Sequence, residues 1–241
     1  MTLDHLIVIA TTLDQGVAWC EATLGVTPGP GGEHVLMGTH NRLLRIASAR
    51  FPSAYFEIIA INPIAITERI QRARRWFDMD HPALQAHLRQ HGPQLAYAVA
   101  QVPDIAAARA RLALQGVDTG PVIAFTRPSA QGPLAWQMAV RNDGQRLLDG
   151  ALPAPIQWSS HHPGAGMADS GITLQSLSLS HPEPGRLGAA LDTAGWAALP
   201  SGPVLAGAAG LSATLATPKG LVTLSSTPLA SIACPLRNTT P

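Results

Sequence analysis

The 241-residue sequence contains few charged residues and no excess of either sign. Asp, Glu, Lys and Arg make up 13% of the chain, whereas about 25% is usual. The formal net charge is +1, so the sequence lacks the basic excess that is typical of nucleic-acid-binding proteins. With so few charges to cover a solvated surface, we expect a homodimer.

Cysteines and long apolar runs are also scarce. Cys20 and Cys234 lie far apart and form neither a zinc pattern nor a disulfide framework, which favours a reducing cytoplasmic compartment. No apolar run is long enough to span a bilayer. The N-terminus MTLDHLIVIA carries an acid and no basic segment, so it does not read as a secretory signal. We therefore expect a cytoplasmic protein with no membrane partner.

Several catalytic motifs are missing. The chain has no GxSxG, no HExxH and no CxxC pair, which argues against the standard α/β-hydrolases and the common zinc sites. The glycine-rich GPGG at 29–32 is not a phosphate loop, because no Gly-Lys-Ser/Thr follows it and no strand-to-helix context surrounds it. These glycines instead precede a predicted hairpin, where they permit unusual backbone angles.

What the sequence does contain is an internal repeat. Residues 1–66 begin with the strand LDHLIVIA and a helix that starts at Thr12, with Gln15 completing a capping-box pattern. Strand-like segments HVLMG, NRLLRIA and AYFEIIAI follow. The order in this first unit is therefore β-α-β-β-β.

The same order recurs twice along the chain. It is clear in 93–160 and weaker in 161–228, which includes a linker; 67–92 is an inserted helical segment, and 229–241 is an irregular tail. Parallel pairing throughout would require more crossover helices. We therefore predict an α+β fold in which repeated β-α-β-β-β units form curved, mainly antiparallel sheets around a cavity.

The repeat resembles the vicinal oxygen chelate (glyoxalase/bleomycin resistance/dioxygenase) superfamily, and most closely its glyoxalase-like domain proteins. The segments that carry the resemblance are LDHLIVIA, GGEHVLMGTHNRLLRI, YFEIIAI, RRWF, GPVIAFTR, PLAWQM, LPAPIQW and the following HHP. It implies a small-molecule enzyme of the isomerase, lyase or dioxygenase type that acts on an oxygen-rich or anionic substrate. The alternative that it implies is a non-catalytic, drug-sequestering protein of the same fold.

His5 and Glu57 are the central site candidates. They lie in the first and fourth strands of the first unit, and these strands can curve around one concavity. Imidazole and carboxylate are good ligands for first-row divalent metals, and the resemblance makes the pair metal ligands or an acid–base pair. The structural alternative is a core histidine and a glutamate on the polar face of its strand.

The matching positions in the other units are poor metal ligands. A helix-to-helix alignment places Ala96 or Tyr97 opposite His5, with Gln175 there in the third unit. Opposite Glu57 stands Gln157 or, in another register, Asp149, and the family position favours Gln157. The predicted metal set is thus His5, Glu57 and Gln157, holding a divalent ion of unknown identity that is weakly bound or absent.

The remaining candidates are proposed to bind substrate. From the residues alone, each also has a structural reading: Arg42 as a protein salt bridge, Asn41 as a turn residue, the tryptophans as core, and the loop histidines as solvated. We expect His5, Glu57, Arg42 and Gln157 to face one cavity. The full set of substrate-binding candidates is His34, Asn41, Arg42, Trp136, Trp158 and His162.

Overall fold

The computed structural model describes residues 2–67, 72–129 and 131–229. Its elements follow the predicted β-α-β-β-β order three times. The first unit contains β1 (Leu3–Ile9), α1 (Leu13–Leu24), β2 (Glu33–His34), β3 (Thr39–Arg45) and β4 (Tyr55–Ile61). After an inserted helix, α2 (Pro82–His91), the second unit contains β5 (Gln94–Gln101), α3 (Ile105–Leu114), β6 (Val122–Arg127), β7 (Leu134–Ala139) and β8 (Ala154–Trp158). The third unit contains β9 (Thr173–His181), α4 (Pro184–Ala194), β10 (Leu205–Ala206), β11 (Gly210–Thr217) and β12 (Gly220–Ser225).

The ends of helix α1 show why these residues form it. Thr12 accepts a hydrogen bond from the backbone N–H of Gln15 through its side chain, and Gly25 ends the helix in the left-handed conformation at φ 82°. Both features satisfy backbone groups that the helix leaves unpaired. The Gln15 side chain reaches back to the N–H of Thr11 rather than of Thr12, so the predicted capping box closes one residue early.

The first two units share one sheet of eight strands in the order β2-β3-β4-β1-β5-β8-β7-β6. The two units meet at β1 and β5, which pair antiparallel, and among the described strands of this sheet only β1–β4 and β5–β8 pair in parallel. The predicted α+β class with curved, mainly antiparallel sheets is confirmed.

Both faces of the eight-stranded sheet carry apolar side chains, and each face is covered by its own core. Side chains such as Ile7, Ile59 and Trp136 pack together on the concave face. Side chains such as Leu6 and Phe56 pack on the convex face, in a core that also contains residues of α1 and α3. The alternation of side chains along each strand therefore decides which residues reach the cavity.

The third unit forms a separate four-stranded sheet, β10-β9-β11-β12. Its apolar side chains join the core of the convex face. The fully buried Trp196 donates its indole N–H to the carbonyl of Gln101, and the N–H of Leu174 bonds to the carbonyl of Ile46. The third unit thus covers the outside of the paired sheet and adds no strand to the cavity.

Two local expectations need correction. The segment HVLMG was predicted as a strand, but only Glu33–His34 is extended, and Val35–Met37 forms a turn of 3₁₀ helix. In the inserted segment, the described helix covers only Pro82–His91. The predicted tail lies outside the described residues apart from Leu229. No helix in the described part of the chain has both the length and the apolar character needed to cross a membrane.

Candidate functional site

The concave face brings His5 and Glu57 together. β1 and β4 are parallel neighbours, with His5 level with Tyr55 and Ile7 level with Glu57. Both side chains point to the concave side, and His5 Nε2 lies 3.3 Å from Glu57 Oε2. Each residue is 5% exposed. A register error of one residue would have placed the two side chains on opposite faces of the sheet.

Asp4 extends the pair into a chain of three ionisable groups. The pairing of β1 with β5 shifts register between Leu3 and His5, which interrupts the regular alternation. Asp4 Oδ1 lies 2.7 Å from His5 Nδ1, and Asp4 is 0% exposed. The imidazole of His5 therefore stands between two buried carboxylates, one at each ring nitrogen.

The second carboxylate oxygen of Asp4 is held by the second unit and the loop that follows it. Trp158 Nε1 donates to Oδ2 at 2.8 Å, and His162 Nε2 lies 3.0 Å from the same atom. His162 Nδ1 accepts from the N–H of Gly164, so in the neutral ring the proton is on Nε2 and points at Asp4. Three donors thus converge on one carboxylate.

These contacts set the charges of the chain. Burial by itself would lower the pKa of His5, but hydrogen bonds with Asp4 and Glu57 outweigh burial and raise it to about 9. Burial, the largest single influence, would raise the pKa of Glu57, but the hydrogen bonds from His5 and Asn41 and the nearby charges of the two histidines together outweigh burial and lower it to about 2. The pKa of Asp4 is held below its usual range against burial by hydrogen bonds from His162 and His5. At neutral pH, Asp4 is therefore a carboxylate, His5 an imidazolium and Glu57 a carboxylate.

His34 and Asn41 meet Glu57 from the other side. Asn41 donates its amide N–H to Glu57 Oε1 at 2.6 Å, and His34 Nε2 lies 3.6 Å from the same oxygen. His34 Nδ1 lies 3.1 Å from the hydroxyl of Thr39. Burial lowers the pKa of His34 to about 4 even though the charge of Glu57 opposes the shift. His34 is therefore neutral at physiological pH.

Aromatic rings enclose the polar groups. Tyr55 stacks on His5 with ring centroids 4.7 Å apart, and burial raises the pKa of Tyr55 well above its usual value. Trp76 and Trp136 approach His34 edge-on, at 5.0 and 6.0 Å. The cavity between them is small, about 20 Å³ when measured as the space open to the centre of a water-sized sphere. Such a space holds about one water molecule or one functional group of a ligand.

Two predicted site residues do not reach this cavity, so the expectation of a common cavity is wrong for them. Arg42 lies between Asn41 and Leu43, which both face the cavity, and its own side chain is exposed on the opposite side of β3. Gln157 lies between Ile156 and Trp158, which also line the cavity. Its amide oxygen accepts from the N–H at the start of α3.

The structure also adds residues that sequence reasoning did not name as site members. Asp4 had one usable signal, since a carboxylate within an apolar strand is costly to bury without a partner. Trp76 belongs to the RRWF segment and Arg127 to GPVIAFTR, and both line the cavity together with Tyr55. No local pattern distinguished these side chains from their neighbours.

The donor set does not fit a resident metal ion. The part of the chain that the structure describes contains no group of three or more His, Cys, Asp or Glu side chains arranged to hold one. Both ring nitrogens of His5 already face carboxylates, which favours the imidazolium form, and an imidazolium cannot ligate a metal. Gln157, the predicted third ligand, caps α3. The predicted set of His5, Glu57 and Gln157 therefore does not assemble.

The fold and the site together define a protein with paired β-α-β-β-β units around a cavity lined by ionisable and aromatic side chains. The family model described as glyoxalase-like domain matches residues 3–195. The chain belongs to this family, and the predicted resemblance to the vicinal oxygen chelate superfamily is confirmed. No curated protein is significantly similar to the chain.

Solved structures resemble the chain at low sequence identity. A hypothetical protein from Staphylococcus aureus has a TM-score of 0.53 at 15% identity, covering 80% of this chain and 75% of its own. Methylmalonyl-CoA epimerase from Streptomyces coelicolor has a TM-score of 0.39 at 15% identity, with 66% and 99% covered. 4-Hydroxymandelate synthase from the same organism has a TM-score of 0.44 at 11% identity, with 93% and 62% covered. The first of these likenesses supports the fold and no activity.

Proposed function

We propose that the chain is a small-molecule enzyme that moves a proton on a carbon next to a carbonyl group, in an isomerase or lyase reaction, with His5 and Glu57 as the acid–base pair. The observation that carries this proposal is the His5 imidazolium held between two buried carboxylates at the cavity. The dioxygenase alternative has less support, because ring cleavage by oxygen relies on a metal that these donors do not fit.

The pair has the electrostatic character of catalytic groups. Two neighbouring titratable groups whose environments drive their pKa values apart are a recurring sign of acid and base roles. Here the pKa is about 9 for His5 and about 2 for Glu57. Burying charged groups is costly, and apolar side chains would fill this space more cheaply.

The geometry supports a division of roles. A substrate carbonyl placed at His5 Nε2 would accept its N–H in place of Glu57, and charge developing on that oxygen would be stabilised by the imidazolium. Released from His5, Glu57 would become more basic and take the proton from the adjacent carbon, with the electron pair moving to the oxygen. Asn41 positions the Glu57 carboxylate. Reprotonation of the carbon completes an isomerisation.

The test is exchange of a substrate proton with solvent. Purified protein is incubated in D₂O with 2-oxobutanoate and 2-oxooctanoate, and loss of the C3 proton signal is followed by ¹H NMR. We expect exchange that falls by about 100-fold or more in Glu57→Gln, the usual scale for general acid–base groups. Arg42→Gln, a charged residue on the opposite face of the sheet, is the control and should exchange at the wild-type rate.

The runner-up is a binding protein without catalysis. His5 and Glu57 already satisfy each other as an ion pair, and the cavity of about 20 Å³ is small for a whole substrate. Tight binding of a 2-oxo acid without any exchange would favour this alternative. Exchange that survives Glu57→Gln would instead remove the assigned base.

A homodimer in the cytoplasm is the setting that we propose. The low share of charged residues supports an assembly that covers surface, and the scarcity of cysteine supports a reducing compartment. The described cysteine, Cys20, is free and buried. Sedimentation velocity over a range of protein concentrations tests the dimer directly.

A further inference from the structure

A second, larger cavity lies directly outside the one that holds His5 and Glu57. Its volume is about 420 Å³, within the range of small-molecule pockets. Leu43 and Arg127 line both cavities, so the two spaces adjoin at these side chains. The apolar part of the outer cavity is formed by Pro30, Leu43, Leu44, Leu134, Met167 and Ala168.

The guanidinium of Arg127 has no bonded partner at this junction among the described residues. It forms no hydrogen bond and no ion pair with residues 2–67, 72–129 and 131–229. By contrast, Arg75, Arg141 and Arg146 each pair with a carboxylate. Arginine is well suited to bidentate recognition of a carboxylate or a phosphate, and this one is partly buried beside two cavities.

The guanidinium of Arg127 packs directly against the backbone of the glycine-rich stretch before the hairpin. A Cβ atom on Gly32 would lie 2.0 Å from Arg127 Nη1. Glycine is therefore what allows the guanidinium to lie directly against the backbone at this point. The backbone is itself fixed, because the N–H of Gly32 donates to the side chain of Asn41 and its carbonyl accepts from the N–H of the same residue.

The other charges of the outer cavity do not cancel Arg127. Arg45 adds a second positive charge to the lining, and Asp169 adds one carboxylate, which accepts from the N–H of Gly171. No ion pair joins Asp169 to either arginine within the described ranges. The pocket therefore combines an apolar wall with the guanidinium of Arg127 at its boundary with the inner cavity.

We propose that the ligand is an amphipathic organic anion, with its anionic group on Arg127 and its apolar chain in the outer cavity. Only a small group then enters the inner cavity, which is all that its volume admits. That the entering group is the reacting carbonyl rests on the proposed function. Binding of an anion at Arg127 and of an apolar chain in the outer cavity does not depend on catalysis.

Calorimetric titration with sodium octanoate and with octanamide tests this proposal. The two probes share one apolar chain and differ in charge, and a charge-assisted hydrogen bond is markedly stronger than a neutral one. We expect wild-type protein to bind octanoate about tenfold or more tightly than octanamide. Arg127→Gln should abolish the preference, and Ala168→Trp, which fills the outer cavity at an exposed position, should weaken both probes.

Gly32→Ala provides a sharper variant, because it leaves the arginine in the chain. The backbone at Gly32 has an ordinary conformation, so the added methyl group should displace the guanidinium and leave the fold intact. We expect weaker octanoate binding and unchanged octanamide binding. Arg42→Gln removes an equal charge from the exposed side of β3 and should change neither affinity.

The outcomes are separable from those of the proton-exchange experiment. If Glu57→Gln protein shows no proton exchange but still binds octanoate more tightly than octanamide, anion binding at Arg127 is supported even if the catalytic proposal fails. Octyl phosphate is a third probe that shows whether the site prefers a phosphate or a carboxylate group. Tighter binding of either octyl phosphate or octanoate than of octanamide supports anion binding at Arg127. The proposal would be overturned if neither octanoate nor octyl phosphate bound more tightly than octanamide, if none of the three probes bound, or if the preference for an anion survived Arg127→Gln.

Discussion

Replacing Asp4 by asparagine should convert His5 from an imidazolium to a neutral ring. Trp158 can only donate, so the remaining amide oxygen must face its Nε1 and the amide NH₂ must face His5 Nδ1. His5 then has to accept a hydrogen bond at Nδ1 and can keep a proton only on Nε2, toward Glu57. The pKa of His5 should therefore fall from about 9 to its ordinary value of about 6.5 or below.

The size of the effect follows from linkage. The difference between an ordinary value of 6.5 and about 9 for His5 corresponds to about 3 kcal/mol of stabilisation of the charged form. The lowered pKa of Glu57 reflects the same ion pair with His5, so the contribution of Glu57 to stability is not added to that of His5. We expect Asp4→Asn to lower the free energy of unfolding by about 3 kcal/mol, as is usual when one partner of a buried ion pair is removed.

The sign of the pH dependence makes the test specific. Because its pKa is raised on folding, the stabilisation from His5 is fully present below pH 6.5 and is lost as pH rises through about 9. The gap between wild type and Asp4→Asn should therefore be largest near pH 6 and narrower at pH 9.5. Urea denaturation at both values measures the gap, and NMR titration of the His5 ring measures the pKa.

A matched control is available on the surface. Asp143 pairs with Arg141, but its side chain is 44% exposed, and exposed pairs contribute about 1 kcal/mol or less. Asp143→Asn should therefore cost little at either pH. If the Asp4→Asn protein kept a His5 pKa near 9, or lost no more stability than the control, the assignment of charges along the chain would be refuted.

Three further outcomes are expected. Glu57, whose pKa is lowered to about 2, stabilises the fold above about pH 4.5 and loses this contribution as pH falls through about 2, so Glu57→Gln should flatten the acid limb of a stability–pH curve. Gln157→Ala should cost about 1 kcal/mol in urea denaturation, since the N–H of Ile105 loses its partner, with octanoate affinity unchanged. EDTA should leave the thermal midpoint unchanged, and a fall of several degrees would reveal a metal site that the described donors do not explain.

The sequence allowed the fold and half of the site to be predicted, for a physical reason. Hydrophobic periodicity and caps are local, so the three β-α-β-β-β units were visible, and the repeat placed His5 and Glu57 in the first and fourth strands, which can curve around one concavity. The phase of alternation within each strand is set by long-range pairing. This explains why Arg42 and Gln157, each one position from a residue that lines the cavity, were assigned to the wrong face. Asp4 was missed because an irregularity in strand pairing brings it beside His5.

The distribution of charges between the two units bears on the chemistry. In the first unit, the positions at β1 and β4 carry His5 and Glu57. In the second unit, Tyr97 is buried with its hydroxyl donating to the carbonyl of Leu152 and accepting from the N–H of Leu147, and Gln157 caps a helix. One half of the paired sheet therefore supplies ionisable groups, and the other supplies packing, aromatic walls and Arg127. Under the proposed function, the acid–base groups would come from one unit, and recognition of the substrate's charge, as proposed for Arg127, would come from the other.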